Sequence, residues 1–456
     1  MTPETTQEPW NELADLVETG TAQEIKQFLD DLPHRDVALV MSRLSEQQQI
    51  LAVSALAPED AAHVASQLPP PQRVELIECL RPATAAAILD ELPSDEQADL
   101  IGDLDAERAR AILEHMQPEE AADARALSGY ADDVAGGLMV TEYLVYPQHY
   151  RVRDVIEDMR QHADAYRDYQ VQYAYVCGAK GRLTGVLQLR DLLLADPRRP
   201  IADIMISRPL SVSSETSLDD LAAFFDRYDF LGVPVIDAKG TLLGIAQKSA
   251  VEEALGDRYG DDFLKTQGIV GGDEIRTMPL LRRSRRRLAW LSINIVLNCI
   301  AASVIALFQD TLSAVIALAI FLPIISDMSG CSGNQAVAVS LREMSLGLVR
   351  PTEVVRVWLK EMAVGLINGL ALGMLLGVVA WFWIGNPYLG LVVGSALCLN
   401  TMLAVSLGGI VPLVLKRFSV DPAIASGPLL TTVTDLCGFL LVLGIATLLL
   451  ERLTGS

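Results

Sequence analysis

The sequence predicts a multidomain chain. A superhelical α-helical N domain covers residues 1–130, a tandem α/β pair 131–257, a connecting helix 258–287 and a five-helix α transmembrane domain 288–456. Three observations predict this order. A unit of roughly 12 residues recurs from about residue 32, the pattern of short helices stacked in sequence. A strand–turn–strand–helix pattern then occurs twice. Beyond about residue 285 charges become rare and apolar runs reach the length that crosses a bilayer.

The chain has 456 residues, 51% of them hydrophobic, and a formal net charge of −22. So acidic a chain lacks the basic surface that nucleic-acid binding requires, and no nucleic-acid partner is expected. The N-terminal run MTPETTQEPWNELADL is polar and acidic, without the basic and apolar regions of a signal peptide. The soluble part is therefore expected in the cytoplasm. Cys79, Cys177, Cys299, Cys331, Cys398 and Cys437 show no CxxC or Cys/His spacing, and every histidine precedes residue 163. A membrane site without His or Cys pairs favours a hard cation held by oxygen.

In the N domain, LPHRDVALVMSRL, LSEQQQILAVSAL, APEDAAHVASQL, PPPQRVELIECL, RPATAAAILDEL, PSDEQADLIGDL and DAERARAILEHM follow one another. Most begin with Pro, Ser or Asp and carry acids in the first turn. Both are helix-start signals, and carboxylates there suit the helix dipole. Glu59 with Asp60, or Asp95 with Asp99, can bind a cation or a partner, but each taken alone is better explained as a solvated helix start.

The α/β pair is read from QYAYVCGAKGRLTGVLQLRDLL and, after a break at ADPRRP, FLGVPVIDAKGTLLGIAQKSAVEEAL. Each has a strand, a turn with Gly181 or Gly240, a strand through Gly185 or Gly244, and a helix. GVLQLRDLL and GVPVIDAKGTLLG make the pair resemble tandem cystathionine-β-synthase (CBS) domains, which commonly bind adenine nucleotides between them. That resemblance implies an ATP site at which Arg190 and Asp191 sit just past a strand, Asp191 takes a ribose hydroxyl, and Tyr173 and Phe230 sandwich the base. The alternative is that the aromatics are core and Asp191 caps a helix. IAQKSA stands where many such domains have Thr-x-x-Asp, so at most one nucleotide site per chain is expected.

The connector RYGDDFLKTQGIVGGDEIRTMPLLRRSRRR turns from acidic to basic, and RRSRRR (282–287) precedes the first apolar span. By the positive-inside rule it holds that end in the cytoplasm. Five spans fit, near 288–308, 312–341, 355–383, 387–415 and 421–450. Arg342, Arg350, Arg356, Lys360, Lys416 and Arg417 all fall on the RRSRRR side, which puts the N-terminus in the cytoplasm and the C-terminus outside the inner membrane.

Asp327 and Asp435 lie deep in these spans, where a carboxylate costs about 3 kcal/mol on insertion scales. Pro323, Gly330 and Gly333 predict a helix broken in mid-membrane, with freed carbonyls, Asn334 and Gln335 as oxygen ligands. Gly427, Thr431, Asp435 and Gly438 fall on one helical face, the Thr431 carbonyl one turn before the Asp435 carboxylate. Oxygen donors with one carboxylate suit hydrated Mg2+.

Pro323 followed by SGCSGNQ, and DPAIASGPLLTTVTD with Asp435, make the whole chain resemble the MgtE family of magnesium channels. The resemblance implies a homodimer in membrane lipid, a pore on the two-fold axis and closure by cytosolic Mg2+ on acidic surfaces. Asp219, Asp229, Glu253, Asp261 and Asp262 are the sensor candidates by approximate position. Asp327, Ser329 and Cys331 depart from the family's span-two motif. Asp327 adds charge near the pathway, which leaves Mn2+ or Co2+, or a proton-coupled exchanger, as alternatives to a Mg2+ channel. A CBS-gated anion channel is disfavoured by two mid-membrane acids, and a non-transporting nucleotide sensor by polar residues in the spans. No enzyme activity is expected.

Overall fold

A computed structural model of the chain describes residues 8–454 except 165, 168, 170, 171, 270–273, 277, 346 and 419; the side chains of 34, 35 and 423–429 are also outside the described set. The chain divides into two compact units, Met1–Arg258 and Tyr259–Ser456.

The first unit begins with ten short helices among the described residues. They are α1 (Pro9–Thr19), α2 (Ala22–Asp30), α3 (His34–Arg43), α4 (Glu46–Ala55) and α5 (Pro58–Ser66), then α6 (Pro70–Cys79), α7 (Pro82–Leu89), α8 (Ser94–Asp103), α9 (Ala106–Leu113) and α10 (Pro118–Leu127). Proline opens α1, α5, α6, α7 and α10, where its missing N–H costs nothing. Thr21 with Glu24, and Ser45 with Gln48, close reciprocal capping boxes at α2 and α4. The sequence repeat becomes a packing repeat: Met41, Val53, Ala65, Ile77, Leu89 and Ile101 recur every 12 residues, and all are buried. No single helix of this length is stable alone, so the shared core holds the stack.

Two four-stranded sheets follow, built from β1 (Met139–Val140), β2 (Leu144–Pro147), β3 (Tyr173–Cys177), β4 (Leu183–Gln188), β5 (Ile206–Ser207), β6 (Val212–Ser213), β7 (Gly232–Ile236) and β8 (Leu242–Gln247). Their orders are β2-β3-β4-β5 and β1-β8-β7-β6. In each, a parallel strand leads into a hairpin, and an antiparallel edge strand completes the sheet. Gly181 (φ 72) and Gly240 (φ 80) supply the left-handed turn residues of the two hairpins. The hairpins touch: Leu183 N–H donates to the Gly240 carbonyl at 3.0 Å. Helices α11 (Val152–Gln161), α12 (Leu189–Leu194) and α13 (Leu218–Arg227) accompany the strands. The long α14 (Lys248–Thr266) leaves β8 and continues past Arg258.

The second unit holds α15 (Leu280–Leu307), α16 (Gln309–Ala314), α17 (Leu318–Ser345), α18 (Val354–Ile384), α19 (Pro387–Arg417), α20 (Pro422–Leu448) and α21 (Leu450–Thr454). At 1.5 Å per residue the five long helices each exceed the ~30 Å hydrocarbon core. By length and composition α15, α18, α19 and α20 qualify as membrane spans. The fifth long helix, α17, does not, because Asp327, Ser329, Ser332, Asn334 and Gln335 dilute its apolar character.

Three expectations are corrected. RRSRRR is the first part of α15 rather than a separate connector, and the connector's helix is the end of α14. The helix expected as span two, α17, starts at Leu318, after the short α16, not near 312. Finally, α17 runs unbroken through Pro323, Gly330 and Gly333. Proline stands near its start, where one backbone bond is forfeited, and Gly333 serves packing instead. A Cβ there would lie 3.1 Å from the Ala404 carbonyl and 2.7 Å from Leu430. The same logic joins α18 to α19. Gly369, Gly373 and Gly377 face Cys398, Gly394 and Gly390, and a Cβ at Gly373 would meet the Gly394 carbonyl at 2.4 Å. Small residues every fourth position let membrane helices approach this closely.

Candidate cation sites in the two units

Asp435 stands on α20 and is 8% exposed. The Ser326 hydroxyl on α17 donates to its Oδ1. One residue before it, the Thr434 carbonyl accepts from Asn400 Nδ2 on α19 at 3.0 Å. Asn400 is fully buried and presses on Gly438, where a Cβ would come 2.7 Å from Nδ2. The Thr434 hydroxyl donates to the Thr431 carbonyl at 2.9 Å. Three helices therefore converge on the turn that carries the carboxylate, and its described partner is a neutral hydroxyl.

The other membrane candidates lie on the surface of the unit. Thr431 is exposed, and Asp327 and Asn334 share an exposed face of α17 with Cys331 and Gln335. The surroundings of Gly427 fall outside the described residues. Polar groups on the outside of a membrane helix do not face lipid; they face water or protein. Among the described residues, no group of three or more His, Cys, Asp or Glu side chains forms a compact metal cage. Asp435 with nearby hydroxyl and carbonyl oxygens instead suits an ion that keeps most of its water.

The first unit gathers charge where α8 meets the strands. The Ser94 backbone N–H and hydroxyl donate to Glu142 at 3.0 and 2.8 Å. Asp95 is pushed up to about 7 by burial, reinforced by the Glu96 and Glu142 carboxylates. Asp99 also rises to about 7, through burial and then Asp132, Asp95 and Asp103. Asp99 reaches solvent, so Asp95 carries the argument. Burial raises Glu96 as well, with Glu253 adding to the rise and Arg73, at 2.6 Å, opposing it. Glu142 is raised by burial first and by Glu120. Such a cluster is stabilised by protons or by a divalent cation.

Of the predicted sensors, Glu253 touches this cluster electrostatically. Asp219 is paired with Arg258, and Asp229 is exposed. Asp261 and Asp262 lie on the part of α14 that belongs to the second unit, where Lys265 sits 3.8 Å from Asp262 and 3.5 Å from Asp421. The Asp95–Asp99 spacing was visible in sequence, but Glu142 and Asp132 had no local signal.

A cleft of about 380 Å³ opens between the two sheets, lined by Tyr143, Tyr173, Tyr175, Gln247, Lys248 and Glu252 among others. Tyr173 is there as expected. Arg190, Asp191 and Phe230 lie outside this lining: Arg190 pairs with Asp191 in the first turn of α12, and Phe230 stacks on Tyr228 with centroids 5.7 Å apart.

Comparison with known proteins gives three family-model matches. A divalent cation transporter model, MgtE, matches residues 322–445, the MgtE intracellular N domain matches 32–133, and a CBS domain matches 201–255. The magnesium transporter MgtE of Thermus thermophilus is 37% identical over 331 residues, covering 72% of this chain and 73% of that protein. The chain belongs to the MgtE family. The MgtE of Bacillus subtilis is 34% identical over 327 residues, 72% of each chain. Among solved structures, the cytosolic domain of the Mg2+ channel MgtE in complex with ATP covers 54% of this chain and 99% of that one, at 30% identity and a TM-score of 0.49. The soluble part of a magnesium transporter covers 55% and 98%, at 27% identity and a TM-score of 0.49. This MgtE-family chain is thus a multi-pass membrane protein of a divalent cation transporter family, with a helical N domain and a CBS pair ahead of its spans.

Proposed function

We propose that this chain carries Mg2+ through the inner membrane into the cytoplasm, with Asp435 as the carboxylate that meets the ion. The observation that carries the reading is Asp435 itself, buried at mid-span on α20 with a neutral hydroxyl as its described partner. A carboxylate at that depth needs compensation, and a passing hydrated cation supplies it. The exposed polar face of α17, with Asp327 and Asn334, supports a homodimer: two copies facing each other line a wet path and double Asp435.

Control is assigned to the acidic cluster around Asp95, Glu96, Asp99, Glu142 and Glu253, with Asp219, Asp229, Asp261 and Asp262 as outlying carboxylates. Cytosolic Mg2+ relieves repulsion in the compact arrangement and favours the closed state by differential binding. The cleft beside Tyr173 accepts a nucleotide such as ATP as a modulator, with its aromatic walls against the base and Lys248 against phosphate.

Purified protein in liposomes containing a Mg2+-sensitive dye tests the central step. Asp435→Asn is expected to lower influx by roughly tenfold or more, equivalent to about 1.4 kcal/mol of lost ion stabilisation. Wild-type influx in that variant rejects Asp435 as the ion's ligand. A pH gradient that leaves influx unaltered favours a channel over a proton exchanger.

A further inference from the structure

The polar layer of the membrane unit holds more side-chain oxygens than its own hydrogen bonds use. Ser329, Asn400 and Thr401 are each 0% exposed. Among the described residues, Ser329 Oγ, Asn400 Oδ1 and Thr401 Oγ1 find no hydrogen-bond partner. Other hydroxyls in the same helices do. Ser332 donates to the Met328 carbonyl at 3.0 Å, Ser340 to the Gly409 carbonyl at 2.8 Å, and Thr434 to the Thr431 carbonyl at 2.9 Å.

Helix register places the three residues at one level of the α17–α19 packing. Gly333 of α17 packs on the Ala404 carbonyl, and Gly408 of α19 packs on the Gly333 carbonyl and on Ala336. Further along, Ser340 reaches Gly409, so the two helices run in parallel. One turn back along each helix, Ser329 lies below Gly333, and Asn400 and Thr401 lie below Ala404. The third wall is α20: Leu430 meets Gly333 and Gly438 meets Ile325, which brackets Ser329 opposite the turn at Thr434.

The chemistry selects the occupant. Ser329 and Thr401 each offer an O–H donor, and Asn400 Oδ1 is an acceptor with its amide nitrogen already committed to Thr434. One water complements this set by accepting two hydrogen bonds and donating one, close to the three that buried waters typically make. A monovalent cation would take the lone pairs but leave both hydroxyl protons without acceptors, and α17, continuous beyond Pro323, frees no carbonyl at the level of Ser329 to complete its shell.

The geometry points to a resident water held by Ser329, Asn400 and Thr401 between α17 and α19. This water fixes the Asn400 amide, and Asn400 in turn holds the Thr434 carbonyl beside Asp435. Asn400 is thereby a positioning residue for the carboxylate.

A crystal structure of the full chain at about 2 Å or better is expected to show one density peak within hydrogen-bond distance of all three atoms. Absence of the peak overturns the proposal. So does an anomalous signal there after Na+ is replaced by Rb+, which would identify a cation. Thr401→Val keeps the shape and removes one donor. It is expected to lose the peak and to raise the half-saturating Mg2+ concentration for influx by about tenfold at unchanged maximal rate, as loss of an outer-shell partner does. Thr401→Ser retains both. Ser329→Ala serves the same purpose where Thr401→Val does not fold. A lost peak with unchanged half-saturation overturns the positioning role. The transport readout rests on Asp435 as the ion's ligand, whereas the density does not. A peak present in a protein whose Asp435→Asn variant transports normally therefore leaves the water standing and removes the ion-site reading.

Discussion

The two units handle negative charge in opposite ways. Around α8, burial first and neighbouring carboxylates second raise Asp95, Glu96, Asp99 and Glu142, while Arg73 answers Glu96. On α20, Asp435 is held by Ser326, and its turn is held by Asn400, both neutral. The first arrangement stores repulsion that any divalent cation can relieve, and it spreads the effect over many residues. The second concentrates everything on one carboxylate in a rigid polar frame. A regulator benefits from the graded response of the former, a permeation site from the fixed geometry of the latter.

The frame is where the contrast breaks most visibly. A Cβ at Gly408 would sit 2.2 Å from the Gly333 carbonyl, so Gly408→Val forces α17 and α19 apart. Overpacking at backbone contact is expected to cost about 3 kcal/mol or more and to abolish a monodisperse, folded membrane unit on size-exclusion chromatography in detergent. In the first unit, Gly102 on α8 has nothing within 4 Å of a Cβ. Gly102→Ala should raise stability by about 0.4–1 kcal/mol, measured as the thermal midpoint of the first transition. Equal effects of the two substitutions would erase the distinction between a close-packed frame and an open helix face.

The acidic cluster gives the next largest effect. The Asp95 carboxyl sits near 7 when folded, above its ordinary 3.8. A carboxyl raised by folding favours the fold while protonated. Its contribution is complete below about pH 4 and is lost as pH climbs through about 7. In divalent-free buffer the first unfolding transition of the full chain should therefore fall by several °C between about pH 5 and pH 8, and millimolar Mg2+ should restore it at the upper end. Asp95→Asn with Asp99→Asn should flatten both dependences and weaken inhibition of influx by internal Mg2+. If the double variant keeps the full Mg2+ increment, the cluster is not the sensor.

Much of this was legible in the sequence, for physical reasons. The repeat of Met41, Val53, Ala65, Ile77, Leu89 and Ile101 is local, and local periodicity survives in a linear string. So do the two glycine hairpins. What escaped was non-local. Strand β1 completes the second sheet by pairing Met139 with Ala246 across more than a hundred residues. Glu142 reaches Ser94 over 48 residues, and Ser326 reaches Asp435 over 109. Asp435 announced itself through its cost in an apolar run, but Ser326 and Asn400 are ordinary residues until packing brings them together. Pro323 and Gly333 read as helix breakers in the sequence. In a membrane unit a small residue as often marks close packing, and α17 stays continuous.

The subtlest test concerns the second mid-span acid. Asp327 lies on the exposed face of α17, one turn from Cys331 and two from Asn334, whereas Asp435 is enclosed. An enclosed carboxylate fixes an ion directly, and an exposed one lends it a longer-range field. At about 10 Å and the dielectric of water, near 80, one carboxylate attracts a divalent cation by roughly 0.8 kcal/mol, or about fourfold in affinity. Asp327→Gly should therefore raise the half-saturating Mg2+ concentration about fourfold, less than the loss expected at Asp435. The ratio of Mn2+ or Co2+ to Mg2+ influx should fall, because a carboxylate beside a thiol favours the more polarising ions. Liposome influx compared across the three ions reads both changes. Unaltered affinity and selectivity would place Asp327 away from the pathway and leave Asp435 as the sole carboxylate that the ion meets in the membrane.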